Sequence, residues 1–155
     1  MNETKENLLP WIGVVARLAL GGVLLVAGAI KIPYPYKAAA AMRAYELLPN
    51  SFASFFGYIL PWFEVGLGLL LILGVATRLS ALLCGLLMLL FIGAISSAWA
   101  RGLTIDCGCF GGGGQVAAGE TRYLQEIIRD IALAVTALYL YFQPHSRFAL
   151  DNRGK

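Results

Sequence analysis

Leu79-Ser-Ala-Leu-Leu-Cys-Gly-Leu-Leu-Met-Leu-Leu-Phe-Ile-Gly-Ala-Ile-Ser-Ser-Ala-Trp-Ala100 runs through without a single charged side chain. A helix crossing about 30 Å of hydrocarbon needs about 20 such residues, and a backbone in lipid can satisfy its own hydrogen bonds only as a helix or a closed barrel. The stretch therefore reads as a transmembrane helix. The rest of the 155-residue chain agrees, because 59% hydrophobic against 14% charged residues lies outside the balance of a soluble domain.

Working outward, three more stretches approach the same length and character. Residues 11–30 are interrupted only by Arg17. Residues 60–76 begin near Pro61, whose missing N–H costs nothing in a first helical turn, and carry Glu64 as their one charge, although the apolar character extends back to Phe52 and leaves the start open. Residues 123–142 bear Glu126, Arg129 and Asp130 in their first turns and become apolar from Ile131 onward, so those turns should face protein or headgroups. Pro33 and Pro35 break the first span, and residues 36–48 then read as a helical segment along the interface. The expected architecture is an all-α integral membrane protein. It is a single membrane domain over residues 1–155, with a four-transmembrane-helix bundle and an interfacial segment between spans one and two.

The first span is read as retained. A leader is suggested by Ala27, Gly28 and Ala29 after an apolar run, but Glu3 and Glu6 against Lys5, and Arg17 within the run, are wrong for a cleaved signal. With four spans, residues 31–50 and 101–122 fall on one face, and both termini with the turn at Thr77 and Arg78 on the other. Trp62, Trp99, Tyr34, Tyr58 and Tyr123 then form an aromatic belt at the first face, with Trp11 and Tyr141 at the second. Basic residues do not orient the bundle, since Lys31, Lys37, Arg43, Arg101, Arg122 and Arg129 balance Lys5, Arg17, Arg78, Arg147, Arg153 and Lys155. The net charge of +3 is scattered, which argues against nucleic acid as a partner.

The loop Asp106-Cys-Gly-Cys-Phe-Gly111, within residues 101–122, is the strongest chemical signal. Cysteines two apart in an extended strand sit near the upper limit of disulfide geometry, so a bridge between Cys107 and Cys109 needs the bend that Gly108 permits. Such a bridge is strained and a ready oxidant, which suits a disulfide that passes its oxidising equivalents on. A structural pair or half of a metal site are the alternatives. Two thiolates do not complete a metal shell, and the single histidine, His145, leaves zinc short of nitrogen ligands, so no metal is expected. Asp106 opposes a thiolate, whereas Arg101 or Arg122 favours one.

Helix direction brings Glu64, Lys31, Arg101, Glu126, Arg129 and Asp130 to the same face as this loop. A charge at the edge of hydrocarbon is costly unless paired, so Glu64 should meet Arg101 or Lys31, in a structural ion pair or as part of a working polar cap. Arg17, towards the opposite face, reads as a snorkelling side chain. Cys84 lies about 24 Å along the third helix from Arg101 and reads as a small buried residue, beyond exchange with the dithiol. Gly21, Gly22, Gly28, Gly66, Gly68 and the Gly93-xxx-Ser97 spacing read as helix contact faces. The run of glycines from Gly111 to Gly114 reads as flexible, and with no Gly-Lys-Ser/Thr after it a phosphate loop is excluded.

Arg17-Leu-Ala-Leu-Gly21, Ala27-Gly-Ala-Ile-Lys31, Tyr45-Glu-Leu-Leu-Pro49, Leu60-Pro-Trp-Phe-Glu64 and Arg101-Gly-Leu-Thr-Ile-Asp-Cys-Gly-Cys-Phe-Gly111 together resemble the DoxX/MauE group of bacterial membrane proteins, over about residues 12–142. The resemblance implies a four-helix membrane fold with redox chemistry. MauE-like members are linked to disulfide formation in exported enzymes, commonly beside a thioredoxin-like partner, and DoxX members to thiosulfate or quinone electron transfer. Carried over by position, Cys107 and Cys109 are the redox pair, and Glu64, Lys31 and Arg101 their polar surround. The tetraglycine is not part of the family pattern.

The leading expectation is a membrane thiol–disulfide redox component taking electrons from a thioredoxin-like or exported partner, with quinone as acceptor implied by the resemblance alone. The alternative is a non-catalytic subunit that anchors or assembles a larger respiratory or dehydrogenase complex. A small-solute transporter is disfavoured by the lack of a repeat or paired interrupted helices. Redox logic puts the dithiol on the outer face of a bacterial inner membrane, with both termini cytoplasmic, because cytosolic poise would keep a strained bridge reduced.

Overall fold

Apolar helices separated by prolines, and one glycine-rich hairpin, make up the architecture seen in a computed structural model, which describes residues 2–151, with side chains from residue 7 onward. The helices are α1 (Asn2–Lys31), α2 (Pro35–Ala44), α3 (Asn50–Leu73), α4 (Thr77–Ala100) and α5 (Tyr123–Phe142). Between α4 and α5, β1 (Ile105–Asp106) pairs antiparallel with β2 (Gly114–Gln115). The side chains of Glu3, Lys5 and Glu6, on which the leader reading rested, and Arg153 and Lys155 of the charge count lie outside the described residues.

The interfacial segment is a helix from Pro35, which serves as first helical residue after Tyr34, to Ala44. α3 departs from expectation. It starts at Asn50, so Pro61 lies inside the helix instead of opening it. Tertiary packing accounts for the extra turns: α2 lies against α3 so closely that a Cβ on Gly57 would sit 2.6 Å from the Ala39 Cα. α3 ends at Gly74, whose φ of +68° makes a left-handed cap, its N–H donating to Leu70 O and Leu71 O.

α1 packs along α3 and α4 along α5, and thinner contacts of α1 with α5 and α3 with α4 join the pairs. Two of the expected contact faces are real. An added Cβ on Gly21 would lie 2.9 Å from Gly68 O, and one on Gly28 would lie 2.5 Å from Pro61 O. Gly22, Gly66 and Gly93, by contrast, face open space and belong to no contact. Leu20, Leu24, Leu67, Leu71, Cys84, Leu87, Met88 and Leu140 build the core between the helices.

Among the described residues, three helices are long and apolar enough to cross a membrane: Asn7–Lys31, Asn50–Leu73 and Thr77–Ala100. Only 39% of the first and 33% of the other two is buried inside the chain, so their outer faces are apolar surface that water would not tolerate. α5 is long enough but carries Glu126, Arg129 and Asp130 in its first turns, and it is not among the three.

Polar groups collect at the two ends. At one, Arg17 is 2% exposed and does not snorkel. Its guanidinium donates to Leu71 O (3.0 Å) and Ile72 O (3.1 Å) at the end of α3 and to the Ser146 hydroxyl of the tail, a cation placed on exposed helix carbonyls. Beside it, the Asp151 carboxylate accepts from the N–H groups of Ala76 and Thr77, both at 2.8 Å, capping α4 from a distance in sequence. At the other end α2 and the β1–β2 hairpin meet, and there the cysteines lie.

Candidate functional site

Hairpin pairing of Ile105 with Gln115 and Asp106 with Gly114 closes a short loop containing both cysteines and most of the tetraglycine. The glycines here are not slack. Gly108 takes φ +72° and Gly113 φ +123°, and a Cβ on either would come within 2.6 Å of the Ala41 Cβ of α2. They let the loop turn sharply and lie flat on the alanine face of α2. Asp106 Oδ1 accepts from Gly108 N (3.0 Å), holding the bend, and Cys109 N donates to Cys107 Sγ at 3.2 Å. Both cysteines are unbridged and only 8% exposed.

The loop rests in a small apolar cluster of Tyr45, Ile95, Ala98, Ile105 and Tyr123. Tyr45 donates through its hydroxyl to Cys107 O (3.3 Å), and its own carbonyl accepts from Arg101. The Tyr123 hydroxyl accepts from Ile105 N and donates to Leu103 O. Tyr123 is thus a buried strut of the hairpin rather than a member of an aromatic belt.

Among the charged residues expected around the dithiol, Glu64 pairs with Lys31, whose Nζ lies 2.9 Å from both carboxylate oxygens, at 1% and 5% exposure. Arg101, the other candidate, is exposed and engaged with Ser97 and the Tyr45 carbonyl, so it reaches the cysteines only through Tyr45. Asp106 stands beside Cys107. A sulfur of Cys107 and one carboxylate oxygen each from Asp106 and Glu126 lie within 4.8 Å of one another. These three are the donors that could hold a cation, and one sulfur with two carboxylates is a mixed, weakly selective set. Arg129 binds Asp130 Oδ1 at 2.8 Å and stacks 5.0 Å over the Phe110 ring, next to Cys109. His145 lies exposed beyond the last helix, and Cys84 is fully buried in the helix core, away from the loop.

Contact with the Cys109 sulfur, then burial, pushes the Cys107 thiol well above the ordinary thiol range, so it is protonated at neutral pH. Burial, reinforced by the nearby cysteines, likewise keeps the Tyr45 hydroxyl protonated and able to donate. Neither Arg101 nor Arg122 offsets this, and contact with Cys109 together with burial decides the question that the loop charges left open.

Two hollows border the pair. A pocket of about 500 Å³ opens between α2, α3 and α4, lined by Lys31, Tyr45, Cys107 and Cys109 together with apolar side chains such as Leu60, Phe63, Leu87 and Phe91. A crevice of about 20 Å³ lies on the other side of Cys109, bounded by Glu64, Phe110, Arg129 and Asp130. Glu126 and Asp130, expected on this face from helix direction, lie beside the cysteines, whereas Tyr45 was not legible as a site residue. The helical spacing of Glu126 and Asp130, four apart on one face, is the signal that could have paired them. Nothing local marks Tyr45.

A family model described as methylamine utilisation protein MauE matches residues 9–143. The methylamine utilization protein MauE of Methylophilus methylotrophus is 30% identical over 137 residues, 87% of this chain and 70% of that protein. The protein of the same name from Methylorubrum extorquens is 42% identical over 93 residues, 59% of this chain, and the match spans half the length of that relative. No solved structure matches.

Proposed function

Since the chain belongs to the MauE family, we propose that it is a membrane component of a methylamine utilisation system and that its work is thiol–disulfide exchange at Cys107 and Cys109. The carrying observation is the hairpin that holds the two cysteines together in the lining of an apolar pocket. In the oxidised protein a thiolate of a thioredoxin-like or exported partner attacks one sulfur of the Cys107–Cys109 bridge, and the other sulfur leaves and is protonated. The partner's second thiolate then resolves the mixed disulfide, leaving the partner oxidised and this protein as a dithiol.

The dithiol is reoxidised by a two-electron acceptor that takes up both electrons and both protons. A largely apolar pocket with both cysteines in its lining suits a lipid-soluble quinone, which would become a quinol. Glu64 pairs with Lys31 of the pocket lining, Asp106 holds the bend of the loop, and Arg101 steadies Tyr45 against Cys107. In this reading α5 is the fourth span and the dithiol faces outward from a bacterial inner membrane, with the ends of the chain on the cytoplasmic side.

Burial of both cysteines favours a second reading, an accessory subunit in which the pair is structural and the chain anchors or assembles a larger complex. Thiol trapping separates the two. In membranes, a Cys107→Ala or a Cys109→Ala variant should accumulate a mixed disulfide with a discrete protein, identified by mass spectrometry. If neither variant traps a partner while the wild-type pair stays permanently reduced, the accessory reading takes over.

A further inference from the structure

Forming a disulfide from two thiols releases two electrons and two protons, and at 8% exposure each cysteine has little contact with bulk water to take its proton. The carboxylates at this end of the molecule are not equivalent. Both oxygens of Glu64 accept from Lys31, and Asp106 Oδ1 accepts from Gly108 N. Two others on α5 keep a buried oxygen, Glu126 Oε2 and Asp130 Oδ2, that receives no hydrogen bond among the described residues. Buried oxygens without a donor are uncommon, and functional sites are one place where they persist.

Their positions match the two sulfurs. A Glu126 carboxylate oxygen lies within 4.8 Å of the Cys107 sulfur. Asp130, one helical turn further and 1% exposed, shares the crevice of about 20 Å³ with Cys109. That space suits a single water.

We propose that Glu126 and Asp130 are the proton acceptors of the dithiol, Glu126 taking the proton of Cys107 directly and Asp130 that of Cys109 through one water in the crevice. The proposal rests on the redox reading above. With a quinone as oxidant, both S–H bonds break, one S–S bond forms and two electrons pass to the quinone. The two thiol protons move to Glu126 and Asp130, which then release them, and the quinone takes up two protons with the two electrons to give the quinol.

Glu126 is faced by Asp106 and Cys107 from the loop, Tyr45 from the end of α2, and Arg129 and Asp130 on its own helix. Asp130 is faced by Lys31 from α1, Glu64 from α3, Cys109 from the loop and its partner Arg129. Arg129 beside both carboxylates, and Lys31 beside Asp130, are the cations placed to offset part of the cost of charge there.

The test uses the full-length protein in detergent, reduced, then mixed with excess short-chain benzoquinone between pH 5.5 and 9, with remaining thiols counted by maleimide mass shift. Oxidation of the wild type should change little with pH across the neutral range. Glu126→Gln should be about a hundredfold slower at pH 7 and should accelerate about tenfold per pH unit, as hydroxide replaces the lost base. Asp130→Asn should behave alike, and Glu126→Asp should recover most of the rate. Wild-type rates and pH profile in both Glu126→Gln and Asp130→Asn would overturn the proposal, as would a stoichiometric divalent metal bound through Asp106, Cys107 and Glu126. If Asp130→Asn does not fold, Glu126→Gln alone decides. A wild-type protein that never forms the Cys107–Cys109 bridge with any oxidant would sink the redox reading itself.

Discussion

Lys31 and Glu64 face each other across the α1–α3 seam with almost no water between them and the core. Removing one partner strands the other's charge, whereas removing both strands none. Glu64→Gln should therefore destabilise the protein by about 3–5 kcal/mol, while the double change Lys31→Met with Glu64→Leu should be close to neutral; thermal unfolding in detergent reads both. The cysteines divide in the same way by surroundings. Cys107 and Cys109 should interconvert between dithiol and disulfide while Cys84, enclosed by Leu87 and Met88, stays reduced. Differential alkylation checks this, and a bridged species containing Cys84 would contradict it. That Glu64 needs a cation was legible because lipid makes an unpaired charge too costly. The strut from Tyr45 to Cys107 was not, since a tyrosine hydroxyl on a backbone carbonyl far along the chain depends on α2 folding back over the hairpin.

At the scale of elements, α4 begins without a side-chain cap of its own, and the carboxylate of Asp151 supplies one from the tail. Burial would raise the Asp151 pKa, but the amide hydrogen bonds from Thr77 and Ala76 outweigh it and hold the group below its ordinary 3.8. A folded-state pKa below the unfolded value gives stability that is complete above about pH 4 and fades as pH falls further. Asp151→Asn should therefore lower the melting temperature at pH 7 and narrow its gap to the wild type towards pH 3, by a small amount because the group is exposed. The elements themselves were legible where composition alone determines them, as in α4 and the proline-bounded α2. The start of α3 was not, because Pro61 imitates a first-turn proline and the extra turns are held by the Gly57–Ala39 contact. Nor was the hairpin, since strands of two residues carry no periodicity and a glycine run reads as slack until a helix lies beneath it.

For the whole molecule, three apolar helices account for most of the exposed apolar surface, and the role of α5 sets where the ends of the chain lie. A fourth span returns the tail to the side of the α3–α4 turn, where Arg17 and Asp151 already hold it. Intact spheroplasts of a Cys84→Ser variant, reduced and then treated with a membrane-impermeant maleimide, should label Cys107 and Cys109, while a C-terminal tag stays inaccessible until lysis. Labelling only after lysis, with the tag exposed outside, would invert the topology and remove an exported partner from the scheme. The clasp at that end also imposes an order on biosynthesis. Ser146 and Asp151 leave the ribosome after every helix they fasten, so Arg17 and the open amides of α4 must wait in the bilayer for the tail to be made. Closure of this end thus follows synthesis of the helices it fastens, and a pause before Ser146 and Asp151 are added would leave those helices inserted but unlatched.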